Sequence, residues 1–172
     1  MNITRHKYYW HAVYIRPRSE KKAYLDLLDM GIKVYLPLIK TLKQWSDRKK
    51  WIEEPLFKSY LFVKVSPREY FDALNASVHV IRYITFEGKA VPIPEQQIEA
   101  IKVFINQEET RNVDLSDYEP GKSIKVVEGP MKGLQGNLVR VLGKKKVRVE
   151  IAGVGKALFI EIPASFLRIL DE

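Results

Sequence analysis

Short runs along the first half of the chain alternate apolar and polar residues with period two, and helical stretches separate them. In Trp10–Arg16 the alternation sets Val13 and Ile15 on one face and Tyr14 and Arg16 on the other, the pattern of a half-buried strand. Pro17 closes it. The period then becomes helical: Ala23, Leu27 and Met30 share one side, with Tyr24 and Leu28 beside them, Ser19 suited to the N-cap and Gly31 to the C′ position. A strand is predicted over Lys33–Leu38. The charged segment Lys40–Pro55, which holds Trp45 and Trp51, reads as an extended hairpin or a loop. Ser59–Val65 alternates again, with Leu61, Val63 and Val65 opposite Tyr60, Phe62 and Lys64. A helix over Arg68–Asn75, a strand over Val78–Ile84 and a helix over Glu95–Ile105 follow. The order βαββαβ predicts a ferredoxin-like sheet with helices on one face and the other face open.

The second half is all strand. Ser123–Val127, Gln135–Leu142, Lys145–Ile151, Lys156–Ile162 and Phe166–Leu170 read as five short strands, enough for a small β-barrel, with Gly143 and Lys144 turning between the second and third. Val147, Val149 and Ile151 alternate with Lys146, Arg148 and Glu150. Residues 106–117 are polar and acidic, with one basic against four acidic side chains, and read as a linker. The expected organisation is therefore α+β: a domain over 1–105, a linker over 106–117 and a barrel over 118–172.

Composition narrows the function. A net charge of +8 and a pI near 9.5 suit a polyanionic partner. With no cysteine, disulfide frameworks and thiolate metal sites are absent. No signal-peptide core or apolar run of membrane-span length is present, so a cytoplasmic protein without membrane attachment is expected, as a monomer. His6, His11 and His79 lie far apart with no ligand-spaced partner, and neither a Walker A sequence nor a dinucleotide fingerprint occurs. No enzyme, metal site or cofactor is expected.

Binding surfaces are better marked. Alternation places Tyr14, Tyr60 and Phe62, with Phe57 just upstream, on the open face of the sheet as an aromatic patch. Beside it runs Arg16-Pro17-Arg18-Ser19-Glu20-Lys21-Lys22, whose Arg16, Arg18, Lys21 and Lys22 could neutralise phosphates. Arg48-Lys49-Lys50 beside Trp45 and Trp51 mixes charge with stacking surface, as single-strand binders do.

The loop Val126-Val127-Glu128-Gly129-Pro130-Met131-Lys132-Gly133-Leu134-Gln135-Gly136 resembles a KOW motif. Gly129-Pro130 is turn chemistry, and Gly133 and Gly136 supply positive φ or close backbone approach. Together with Trp10–Arg18, Glu20-Lys21-Lys22, Tyr35-Leu36-Pro37, Pro55–Val63 and Pro92-Ile93-Pro94, the chain from Trp10 to Leu170 resembles the NusG family of transcription elongation factors. The resemblance implies an N-terminal NGN domain that docks on the RNA polymerase clamp, here through Tyr14, Phe57, Tyr60 and Phe62. It implies contact with non-template DNA or nascent RNA through Arg16, Arg18, Lys21 and Lys22. It also implies an SH3-like KOW barrel, marked by Gly129, Pro130, Lys132, Gly133 and Gly136, that can meet a ribosomal protein.

Two departures stand out. The family commonly has Phe-Pro-Gly-Tyr or Phe-Pro-Asn-Tyr where this chain has Phe57-Lys58-Ser59-Tyr60. It has phenylalanine where Ala152 precedes Gly153; that phenylalanine helps engage termination factor Rho and a ribosomal protein, and alanine removes that anchor. The expectation is a specialised paralog of the UpxY and RfaH type, suppressing pausing or termination on a long polysaccharide-type operon. The alternative is a KOW-containing RNA- or ribosome-binding protein without polymerase clamp activity.

Overall fold

The computed structural model describes residues 7–107, 121–141, 144–162 and 164–170. It is a mixed α+β chain in two compact units, 1–93 and 94–172. In the first, the elements run β1 Tyr9–Ile15, α1 Glu20–Asp29, β2 Lys33–Tyr35, β3 Leu38–Gln44, β4 Lys49–Pro55, β5 Tyr60–Val65, α2 Tyr70–Asn75, β6 Val80–Tyr83, β7 Thr85–Phe86, β8 Lys89–Ala90 and β9 Pro92–Ile93. β2, β5, β1 and β6 form the main antiparallel sheet in that spatial order, and β9 adds to β1. With the two hairpins β3–β4 and β7–β8 set aside, this is the predicted βαββαβ arrangement.

One face of the sheet carries the core. Val13, Ile15, Leu61, Val63 and Val65 pack with Ala23 and Leu27 of α1 and Ala73 of α2, as their alternation requires. The end of α1 is a Schellman closure: Ile32 N–H donates to Leu27 O at 3.0 Å and Gly31 N–H to Leu28 O at 2.8 Å, with Gly31 at φ +74°. Ile32 and Leu27 then meet in the core. The other end departs from expectation, because the Ser19 side chain makes no cap hydrogen bond. α2 starts at Tyr70, since residues 67–69 form a turn in which the Glu69 carboxylate accepts from the backbone and hydroxyl of Ser66. The charged segment is the hairpin β3–β4, paired from Leu38↔Pro55 to Gln44↔Lys49.

The second unit holds α3 Glu95–Asn106 and strands β10 Ser123–Val126, β11 Gln135–Val141, β12 Lys144–Ile151, β13 Lys156–Ile160 and β14 Leu167–Ile169, in the antiparallel order β13-β12-β11-β10-β14. A 3-10 turn, Ala164–Phe166, occupies the start of the expected last strand. The division falls at 93/94, whereas the apolar pattern sets a boundary after 105. Side-chain amides join α3 to these strands: Gln97 Oε1 accepts from Ala152 N–H at 2.8 Å, and Gln107 exchanges two hydrogen bonds with the backbone of Glu161. From residue 108 to 117 the expected linker lies outside the described residues, as does Gly143 of the expected β11–β12 turn. Val147, Val149 and Ile151 are buried as predicted, but so is Lys146, against its expected outward side; its Nζ lies 3.6 Å from Glu161 Oε1.

Candidate functional site

The face of the main sheet opposite the core is a ladder of aromatic residues. Register sets Tyr14 opposite Tyr60, Ala12 opposite Phe62, Phe62 opposite Tyr35, and Trp10 opposite Lys64. The Tyr14 and Tyr60 rings meet edge to face at 5.8 Å, and the Arg82 guanidinium lies 5.7 Å from the Tyr14 ring centre. Phe62 contacts Phe57 at 5.9 Å and Tyr35 at 6.3 Å. Lys33 and Lys64 both stand over Trp10.

The four expected aromatic residues therefore come together, but at two depths. Tyr14 and Tyr60 are half-buried, whereas Phe57 and Phe62 are 4% and 0% exposed. The expectation that all four lie open is corrected for the two phenylalanines. Alternation assigns a face and cannot measure how deep that face lies. Trp10 and Tyr35 join the ladder without having been expected there: period two from Tyr14 leads to Trp10, but the β2–β5 pairing that recruits Tyr35 has no local signal.

The turn feeding β5 is held from several sides. Tyr60 N–H donates to Phe57 O at 3.3 Å, and Ile15 N–H to Ser59 O at 2.9 Å. Ser59 takes φ +65°, a left-handed conformation uncommon for a residue with a Cβ. Its N–H donates to Oε1 of the buried Glu20 at 2.8 Å.

The basic residues gather where β1 passes into α1. Arg16, Arg18, Lys21 and Lys22 are all exposed. Arg18 sits at φ +63°, and Lys21 Nζ donates to Glu53 O at 3.3 Å, which joins this turn to the β3–β4 hairpin. On that hairpin Trp45 and Trp51 are exposed, with the Arg48 guanidinium 6.0 Å from the Trp45 ring centre.

In the second unit the glycine loop behaves as its residues require. Gly129 and Gly133 have φ of +79° and +94°, and Gly133 N–H donates to Val126 O at 2.8 Å. A Cβ on Gly136 would stand 2.4 Å from Arg148 O, so β11 and β12 can close at this point only over glycine. Pro130 and Lys132 are exposed while Met131 and Leu134 point inward.

Acid–base chemistry is poorly equipped. His11 Nδ1–H donates to Val91 O at 3.1 Å; burial lowers the pKa of its ring, and that hydrogen bond opposes the shift. It lines an apolar groove of about 780 Å³ with Tyr9, Tyr70 and Phe71. Burial likewise pushes the Tyr83 phenol up, in a ring stacked on Tyr70 at 4.0 Å. Among the described residues no group of three or more His, Cys, Asp or Glu could hold a metal, and no helix is long and apolar enough to cross a membrane.

Residues 8–102 match the family model described as "Transcription termination factor nusG". The transcription termination/antitermination protein NusG of Synechocystis is 23% identical over 175 residues, covering 90% of this chain and 85% of the relative. Among solved structures, one titled "Domain interaction in Thermotoga maritima NusG" superposes with a TM-score of 0.51 at 18% identity, covering 96% of this chain and 98% of the other. That likeness is one of fold.

Proposed function

Because the chain belongs to the NusG family, whose members are transcription factors and not enzymes, we propose that it is an elongation factor. It grips the clamp region of RNA polymerase through the ladder around Tyr14 and Tyr60 and suppresses pausing or termination. The observation that carries this reading is the half-buried Tyr14–Tyr60 pair on the same sheet face as the buried Phe57–Phe62 pair. Rigid aromatic anchors set among packed apolar side chains are what a protein hot spot needs. Arg16, Arg18, Lys21 and Lys22 at one end of the same sheet supply the charge for non-template DNA or nascent RNA.

Ala152 supports the finer assignment. Its methyl offers little surface for an aromatic-dependent partner, and its N–H is engaged by Gln97. We read the chain as a specialised antiterminator of a long, polysaccharide-type operon, acting in the cytoplasm without dependence on Rho. The barrel serves a further partner such as a ribosomal protein.

Tagged full-length chain incubated with lysate at moderate salt should retain RNA polymerase, and Tyr14→Ala with Tyr60→Ala should release it. Retention of ribosomal RNA without polymerase would replace this reading with an RNA- or ribosome-binding KOW protein.

A further inference from the structure

We propose that Glu20 is the positioning residue of the aromatic face, holding the Phe57–Tyr60 turn so that Tyr60 is presented to its partner; the role assigned to Tyr60 rests on the polymerase reading above. Among the described residues Glu20 is the only buried carboxyl side chain, at 7% exposure. A carboxyl group withdrawn from water needs a hydrogen-bonding partner, and its Oε1 accepts from the backbone N–H of Ser59 at 2.8 Å, 39 positions away. It is the first residue of α1, at the helix end whose dipole favours an acidic group.

What it holds is a turn whose one local bond, Tyr60 N–H to Phe57 O at 3.3 Å, leaves a non-glycine residue in a left-handed conformation. Ser59 sits at φ +65° without being glycine, so the backbone there needs outside support to persist. Both backbone groups of Ser59 are engaged by the β1–α1 segment: the N–H by Glu20 and the carbonyl by Ile15 N–H at 2.9 Å. Ser59 directly precedes Tyr60, whose backbone pairs with Tyr14 and whose ring meets the Tyr14 ring edge to face. A released Ser59 N–H would let the turn relax toward negative φ, which redirects the chain entering β5 at Tyr60. Glu20 thus acts through Ser59 and has no need to touch the partner.

The test uses the full chain and core RNA polymerase, with affinity measured well below the melting temperature for wild type, Glu20→Ala, Tyr60→Ala and the double variant. Amide hydrogen exchange is read in parallel. Glu20→Ala should weaken binding about tenfold, the scale of one hydrogen bond to an acidic group. In the Tyr60→Ala background it should add less than about twofold, because both changes act through one element. Ser59 and Tyr60 amides should exchange about tenfold faster than in wild type, with Val13 and Val63 unchanged. Glu20→Gln, which keeps an acceptor, should restore most of the affinity. If Glu20→Ala does not fold, Glu20→Asp takes its place: it stays acidic but is too short to reach Ser59, and it should give the same two effects.

An equal loss of affinity in the Tyr60→Ala background, or unchanged exchange at Ser59, overturns the proposal. A purely structural Glu20 would lower the melting temperature and leave the affinity of the folded protein as it was. If wild type itself does not bind polymerase, the proposed function fails, and exchange at Ser59 and Tyr60 decides the holding role independently.

Discussion

Replacing Phe62 with alanine discriminates between a surface residue and a foundation. Phe62 is 0% exposed, in edge contact with Phe57 at 5.9 Å and tilted against Tyr35 at 6.3 Å. Removing a buried phenyl ring forfeits its transfer free energy and leaves a cavity between the Phe57 and Tyr35 rings, which are anchored on two different segments and restrain collapse. The expected cost is about 3–5 kcal/mol. In a unit of this size each kcal/mol moves the midpoint by roughly 4–8 °C, so the melting temperature should fall by more than about 10 °C. Tyr60→Ala removes a half-exposed ring and should cost only about 1 kcal/mol. Phe62→Leu keeps most of the volume and should cost less than about 1.5 kcal/mol. Urea unfolding followed by tryptophan fluorescence and far-UV circular dichroism measures all three, provided the denaturant slope is unchanged among them. A Phe62→Ala cost below about 1 kcal/mol would refute the argument and make Phe62 part of the open face.

The remaining expectations concern charge, backbone and protonation. Arg16→Ala and Lys22→Ala should each reduce the slope of log affinity for single-stranded nucleic acid against log salt by about 0.7, so wild type and variants converge as salt rises; parallel lines would show that these groups only face solvent. Gly136→Ala should destabilise the second unit by about 1–3 kcal/mol or more, because its Cβ would meet the Arg148 carbonyl at 2.4 Å, and a thermal melt of the full chain that matches wild type would contradict the β11–β12 closure. His11 has a folded-state pKa below its unfolded one, so the unfolded chain takes up the proton first as pH falls. Its stabilising contribution is present above about pH 6.5 and lost as pH drops through the folded value. His11→Phe should therefore lose less stability than wild type between pH 7 and 5, and equal losses would remove His11 from the account.

What was legible along the chain was what depends on near neighbours. Alternation separated Val13, Ile15, Leu61, Val63 and Val65 from Tyr14, Tyr60 and Phe62, and the helices hold the first set in the core. Gly31 closes α1, and Gly129 and Gly133 take the positive φ their turns need. Such features follow from the geometry of a few consecutive residues, so the residues suffice to announce them. Depth and partnership do not follow in that way. Tertiary packing buries Phe57 and Phe62 while leaving Tyr14 and Tyr60 half-exposed, brings Tyr35 to the same ladder and sets the Glu20 side chain against Ser59 N–H. Only folding turned Lys146 inward toward Glu161 and grouped α3 with the strands of the second unit through Gln97 and Gln107. A side chain's periodicity states which way it points; what waits there is set by segments tens of residues away, and only their packing decides it.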